Sequence, residues 1–266
     1  MEIMTNIENN KLLDEFHGKL LDGKIQLSSV RGYPSQPEKK QQDAIGSIVK
    51  DENNFLNIVA DGLGGVEYGE KASLQIVKEI LDWYKYTPQT MLEDPDLSIK
   101  LLKEEISFIN KDLFYKYRGK AQTTFVLSLT NQYRTLIANV GDSTIYTYNK
   151  ELELLTHIKN YITKKTYEQI RKNIFSYLVS GSVGDIILGK IHINTIDNNG
   201  QRLIMSSDGV TDLICEKRFT DYLINNVDAK TIVTEALETP DVLWKKEDNI
   251  SAITYNLPNN QKTKRR

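Results

Sequence analysis

A single cysteine, Cys215, occurs in the 266 residues. That excludes an internal disulfide framework and any zinc site built from several thiolates. Histidine is scarce as well, with three in the chain. No apolar run approaches the roughly 18–20 residues needed to span a bilayer. The start, MEIMTNIENNKLLDEF, carries acids where a signal peptide would have a basic segment and an apolar core. With 34 basic against 36 acidic side chains the net charge is −2, so no global field exists to recruit nucleic acid. We therefore expect a cytoplasmic protein of the reducing compartment, a monomer with no membrane or nucleic-acid partner. What is present is ordinary for a globular chain, 39% hydrophobic and 26% charged, which excludes a disordered tail protein.

Residues 1–24 are polar and weakly periodic, and read as an irregular lead-in with a short helix around Lys11–His17. From Ile25 the texture changes. Ile45–Val49 and Phe55–Ala60 are apolar runs around the turn-like Asp51-Glu52-Asn53-Asn54, a β-hairpin pattern. After Asp61-Gly62-Leu63-Gly64-Gly65 the period becomes helical, with Ala72, Ile76, Ile80, Leu81 and Tyr84 on one face. A second helix runs from Leu97 through Tyr117 and ends at Gly119. Strand-like runs follow at 123–130, 134–140, 143–148, 189–195 and 201–206, then short helices at 210–215, 219–225 and 229–238, and a last strand at 250–255. No βαβ alternation appears. A helix pair inside an antiparallel series predicts an α+β chain with helices layered on sheets. We expect one domain over 25–257 and a basic, disordered tail at 258–266.

The chemistry lies in acids at predicted strand ends, each beside glycine or another small residue. They are Gln42-Asp43-Ala44, Ala60-Asp61-Gly62, Gly141-Asp142-Ser143, Ser207-Asp208-Gly209 and Asp248-Asn249-Ile250. Glycine lets the backbone approach closely, so that its carbonyl can also act as a ligand. Carboxylates arriving from separate strands cannot all stay ionised side by side without cations between them. Oxygen-only ligands favour Mg2+ or Mn2+. Each piece alone reads more readily as a turn. Their joint order carries the signal.

Taken together, QDA, VADGLGG with YGEKAS, TTFVLSL, ANVGDSTIY, LIMSSDGVTD and EDNISAI resemble the bacterial-type, metal-dependent Ser/Thr protein phosphatases of type 2C, the PPM family. The resemblance implies a central antiparallel β-sandwich flanked by helix pairs, a four-layer αββα arrangement. It also implies two Mn2+ or Mg2+ ions at one end of the sandwich. By motif, Asp61 would bridge both ions with the Gly62 carbonyl on one, Asp208 and Asp248 would complete the other, and Asp43 would sit beside them. Asn249 would orient nearby groups, and Asp142 and Asp212 match the positions that hold a third ion. The implied reaction is hydrolysis of phosphoserine and phosphothreonine on proteins by a metal-activated water. The substrates would be phosphorylated proteins, made by a cognate Ser/Thr kinase. Cys215, in an apolar helical context, reads as core and not as a nucleophile.

Three departures stand out. The family arginine that grips phosphate, five residues before Asp43, is Glu38 here, leaving Lys39, Lys40 or Arg31 to supply the charge. Leu63 stands where eukaryotic members have a histidine, and His17, His157 and His192 all lie outside the motifs. The stretch 156–173 is short for the family flap. Glu38 and that flap leave an alternative open, a catalytically weak or inactive phosphatase-like module that binds a protein partner. A nucleotide-cradling loop at Gly62–Gly65 fails on spacing, since neither GxGxxG nor GxxxxGK[ST] is present.

Overall fold

A computed structural model describes residues 1–32, 40–64, 66–148, 151–156, 191–238 and 248–259. Two six-stranded antiparallel sheets form its centre. The first has the strand order β1 (Glu2–Thr5), β6 (Asp43–Asp51), β7 (Asn54–Asp61), β8 (Phe125–Thr130), β9 (Arg134–Val140) and β12 (His192–Asp197). The second runs β11 (Leu152–Leu154), β10 (Thr144–Tyr148), β13 (Arg202–Ser206), β14 (Ile250–Asn256), β5 (Ile25–Val30) and β4 (Glu15–Leu20). A small hairpin, β2 (Ile7–Glu8) with β3 (Lys11–Leu12), completes the strands among the described residues.

Side chains alternate along each strand between two different cores. Ile45, Val49, Phe55 and Val59 point between the sheets, where they meet Leu27, Val126, Ile137, Met205, Ile253 and Tyr255. Ala44, Ile48, Leu56 and Ile58 point outward, onto α1 (Gly69–Tyr86) and α3 (Pro95–Tyr117), with the short α2 (Gln89–Glu93) between them. Ile76, Ile80, Tyr84, Leu102, Ile106 and Ile109 are the helical side of that core. The outer face of the second sheet packs on α4 (Asp208–Thr211), α5 (Glu216–Ile224) and α6 (Ala229–Glu238) through Val210, Phe219, Tyr222, Ile232 and Val233. The layers are αββα, as expected. Burying an aliphatic or Phe side chain is worth roughly 1.5–3 kcal/mol, and strands buried on both faces read as continuous apolar runs. Asp94 caps α3 by accepting from the Leu97 amide at 2.9 Å, and Arg118 and Gly119 end it with positive φ of 53° and 76°.

The largest correction concerns residues 1–24. They are not an irregular lead-in with a helix at 11–17, because they supply an edge strand to each sheet, so a boundary at 25 cuts through both. Asn9 and Asn10, both at positive φ, turn β2 back onto β3. Glu15–Leu20 pairs along the whole of β5, residue for residue, and that tertiary pairing outweighs local helical preference. Cys215 is a second correction: it precedes α5 and is exposed, not core. Lys39, Glu38, His157, nearly all of the flap and the tail from 260 lie outside the described residues. Pro258 and Asn259, also assigned to the tail, continue in contact with the fold, Asn259 bridging Asn199.

Candidate active site

One end of the sandwich collects every acidic motif. Asp43 opens β6 and Asp61 closes β7, and the two face each other in the antiparallel register. The Gly141–Asp142 turn crosses from β9 in one sheet to β10 in the other. Ser206 ends β13 opposite Ala252 of β14, which brings Asp208, at the start of α4, beside the Asp248–Asn249 entry to β14. Two glycines make the approach possible. A Cβ on Gly62 would lie 2.6 Å from the Gly69 backbone and 2.8 Å from the Gln42 carbonyl oxygen. A Cβ on Gly209 would collide with the Asn249 carbonyl oxygen. A Cβ on Gly69 would in turn lie 2.6 Å from the Leu63 carbonyl oxygen, which explains why glycine opens α1 in the YGEKAS motif.

The backbone around Asp61 is clamped. Its carbonyl accepts from the Thr123 hydroxyl at 2.6 Å and the Thr124 amide at 2.8 Å. Asp43 is fully buried. Its Oδ2 accepts from the Ser207 hydroxyl at 2.8 Å, while its Oδ1 has no donor. Asp208 Oδ1 and Asn249 Oδ1 are also buried acceptors without a donor. The Asp61 carboxyl lies within hydrogen-bonding reach of both Asp43 and Asp208.

Such crowding has an electrostatic signature. Burial, then the Asp248 charge, pushes the Asp43 carboxyl up to about 7. Burial and the charges of Asp208, Asp43, Asp248 and Asp142 hold Asp61 well above the usual carboxylate range. Asp208 is likewise raised, by burial first and then by Asp142 and Asp248. Asp142 keeps solvent access, yet the surrounding protein lifts it, followed by Asp212 and Asp248. The charges acting on these carboxyls are other carboxylates. Among the described residues no three acidic side chains already close on one point at ligand distance. The site is a crowded acidic basin in which protons, or cations, must offset the charge.

Comparison with known proteins gives this geometry a family. Residues 35–239 match the model of the family described as "Protein phosphatase 2C". The chain belongs to the protein phosphatase 2C family. A serine/threonine phosphatase, stp, from Listeria welshimeri is 27% identical over 197 residues, 68% of this chain and 77% of that protein. Serine/threonine phosphatase Stp1 from Staphylococcus aureus superposes with a TM-score of 0.67 at 21% identity, covering 88% of this chain and 94% of that one. The catalytic domain of the serine/threonine phosphatase PstP, in complex with two manganese ions, gives a TM-score of 0.61 at 17% identity over 88% and 97% of the two chains.

The structure brings Asp43, Asp61, Gly62, Asp142, Asp208, Asp212, Asp248 and Asn249 to this one end. It does not bring the phosphate-binding candidates there as free cations. Arg31 pairs with Asp14 at 3.6 Å, and its amide donates to the Asp14 carbonyl at 2.7 Å. Lys40 Nζ is 3.7 Å from Glu70 Oε1. Sequence reading missed the supporting shell. Gln41 Oε1 accepts from the Asp43 amide at 3.1 Å, and its Nε2 donates to Ser29 Oγ at 3.1 Å. Ser29 meets Ser251 at 2.8 Å, and the Ser251 amide donates to Ser207 Oγ at 3.1 Å. Ser207 and Ser251 lie inside the LIMSSDGVTD and EDNISAI motifs, whereas Gln41 and Ser29 carry no signal until β5 and β14 are paired.

Proposed function

We propose that this chain is a Mn2+- or Mg2+-dependent phosphatase that hydrolyses phosphoserine and phosphothreonine esters on proteins. The observation that carries the reading is the convergence of Asp43, Asp61, Asp208 and Asp248 at one sandwich end, with the orphaned acceptors Asp43 Oδ1, Asp208 Oδ1 and Asn249 Oδ1. Buried acceptors without donors are costly unless a cation takes that place. The donor set is all oxygen, which suits hard divalent ions. In this reading Asp61, whose carboxyl neighbours two others, would hold the ions together with the Gly62 carbonyl, Asp208 and Asp248, with Asp43 beside them, and Asp142 with Asp212 would hold a third. When bound, such ions lower the pKa of water and offset charge on the phosphoryl oxygens.

The chain's own groups have separate tasks. Ser207 holds one Asp43 oxygen and so fixes which oxygen faces the basin. Asn249, buried under the Gly209 backbone, presents an acceptor that can orient a donor. Lys40, with Lys39 and Arg31 as further candidates, draws the phosphate dianion toward an end of the fold that is otherwise negative. No side-chain nucleophile is required for hydrolysis by water. A module that only bound a partner would have no physical use for carboxylates kept under this strain. Its substrates are then the products of a Ser/Thr kinase in the same compartment, which we place in the cytoplasm, and the chain acts as a monomer.

The test is hydrolysis of p-nitrophenyl phosphate, then of a phosphothreonine peptide, with Mn2+, with EDTA and with no added metal. Turnover should need Mn2+ and vanish with EDTA. No turnover with Mn2+ at any pH from 6 to 9 would sink the reading and leave the binding module in front.

A further inference from the structure

Strand β1 pairs with β6 from Glu2↔Val49 to Thr5↔Gly46 and then leaves the sheet. The ladder does not stop there. Asn6, fully buried, continues it with its side chain: Oδ1 accepts from the Ile45 amide at 2.9 Å, and Nδ2 donates to the Asp43 carbonyl at 2.9 Å. The carboxamide thus takes the place of the next peptide group in the strand. Its own backbone is used as well, the amide donating to the Ile45 carbonyl at 3.3 Å and the carbonyl accepting from the Leu13 amide at 2.9 Å. Nδ2 also faces Ser29 Oγ at 3.4 Å, where the chain Gln41–Ser29–Ser251–Ser207 crosses from one sheet to the other.

Asp43 is therefore held at three points besides its partner strand. Its amide is fixed by Gln41, its carbonyl by Asn6 and its carboxyl by Ser207. All three lead back to one hydroxyl, Ser29, directly or through Ser251. A buried asparagine costs stability unless all its groups are paired, and hydrophobic packing alone would suffice to seat an edge strand. We propose that Asn6 is a positioning residue for Asp43, so that the segment 1–12 forms part of the metal-binding apparatus. This rests on the function proposed above. Outer-shell partners of metal ligands act through ligand orientation, and their loss weakens binding by about 10–100-fold.

The experiment uses the full chain and Mn2+ alone as the probe. Mn2+ affinity is measured by calorimetry and by the electron paramagnetic resonance of free Mn2+, next to phosphopeptide kcat and KM. Asn6→Ala should weaken Mn2+ binding about tenfold, leave KM for phosphopeptide at saturating Mn2+ unchanged, and speed amide exchange across 43–46 in metal-free protein. Thr5→Val is the control. It removes the Thr5 hydroxyl bond to the Ile45 carbonyl (2.7 Å) and should lower the melting temperature without moving Mn2+ affinity. Should Asn6→Ala not fold, Ser29→Ala attacks the same network with a conservative change and should weaken Mn2+ binding several-fold. An unchanged Mn2+ affinity in folded Asn6→Ala or Ser29→Ala, or an equal loss in Thr5→Val, overturns the assignment of Asn6. A wild-type chain that binds no Mn2+ overturns the metal reading itself.

Discussion

The two ends of the sandwich bury polar groups in opposite ways. At the end away from the acidic motifs, Thr130 and Thr135 share a hydrogen bond of 3.0 Å, and Thr135 donates to Asn198 Oδ1 at 2.8 Å. Asn198 Nδ2 then donates to the Asn131 carbonyl at 2.6 Å, and Asn131 Oδ1 accepts from the Tyr133 and Arg134 amides at 2.9 and 3.0 Å. Every side chain in it is neutral and can both donate and accept a hydrogen bond, so the chain closes on itself. At the other end the groups are carboxylates, which when ionised only accept. Three of their neighbourhood's acceptors find no donor, and the aspartates raise one another's pKa. The first end is built to be finished by the protein. The second is completed only by something added, a proton at low pH or a cation at neutral pH.

Replacing a carboxylate with its neutral isostere should break this contrast most strongly. Asp61→Asn removes the charge that neighbours both Asp43 and Asp208. Phosphopeptide turnover should fall by about 10³-fold, roughly 4 kcal/mol of transition-state stabilisation. The metal-free protein should nevertheless melt higher than wild type, because repulsion at the basin is relieved. Loss of activity together with loss of metal-free stability would mean that Asp61 is a structural residue.

The pH dependence of the metal-free protein sharpens the same point. Asp43 has an ordinary pKa of 3.8 that rises to about 7 in the fold. Between those values the folded chain keeps a proton that the unfolded chain has released, so this group's contribution to stability falls as pH rises through that window. Each unit corresponds to about 1.4 kcal/mol. The metal-free melting temperature should therefore drop by several degrees between pH 5 and pH 7.5. Asp43→Asn should flatten that drop, and saturating Mn2+ should restore stability at pH 7.5. A melting temperature that rises over this range and is indifferent to Asp43→Asn would show that Asp43 is not protonated in the fold.

At the closed end the expected effect is smaller and purely structural. Asn198→Ala leaves Thr135 Oγ1 and the Asn131 carbonyl short of partners. It should cost about 2 kcal/mol, or roughly 4–8 °C in melting temperature, with kcat and Mn2+ affinity unchanged. A change in Mn2+ affinity would mean that the two ends are coupled through the sheet.

Much of this was legible in the sequence because the informative signals are local. The doubly buried strands 45–49 and 55–60 and the helical stripe from Ala72 to Tyr84 each announce themselves within a few residues, while the five acidic motifs signal only by their joint order. The motifs also carried the family resemblance, and hence the sandwich, which periodicity alone could not supply. What failed was non-local. Residues 1–24 are strands because β5 and β6 offer them open edges, and Lys11–His17 has no feature of its own that says so. Asn6, Ser29 and Ser251 become a network only when three strands from different parts of the chain meet. Cys215 sits in an apolar neighbourhood in sequence but on the helix rim in space. Arg31 and Lys40 are basic in the right stretch, and only the fold reveals the acids that hold them.

Lys40 gives the smallest expected effect. Its side chain is 74% exposed, whereas its partner Glu70 is 16% exposed and lies in the first turn of α1. An acid in that position is favoured by the helix dipole, so Glu70 is the fixed member and Lys40 the mobile one. An ion pair whose cation is this exposed is worth about 1 kcal/mol, and a phosphate dianion can compete for the lysine. Lys40→Ala should raise KM for phosphopeptide about two- to threefold with kcat unchanged, since a contact kept equally in ground and transition states is uniform binding. Glu70→Gln should act in the opposite direction, freeing the ammonium and lowering KM about twofold. Both effects should shrink at high salt, because the lysine charge faces solvent. If neither substitution moves KM at low salt, Lys40 does not meet the phosphate. Asp14→Asn, which releases Arg31 from its 3.6 Å pair, then becomes the change that should lower KM, and a planar donor fork in place of a point charge would make that gain persist in salt.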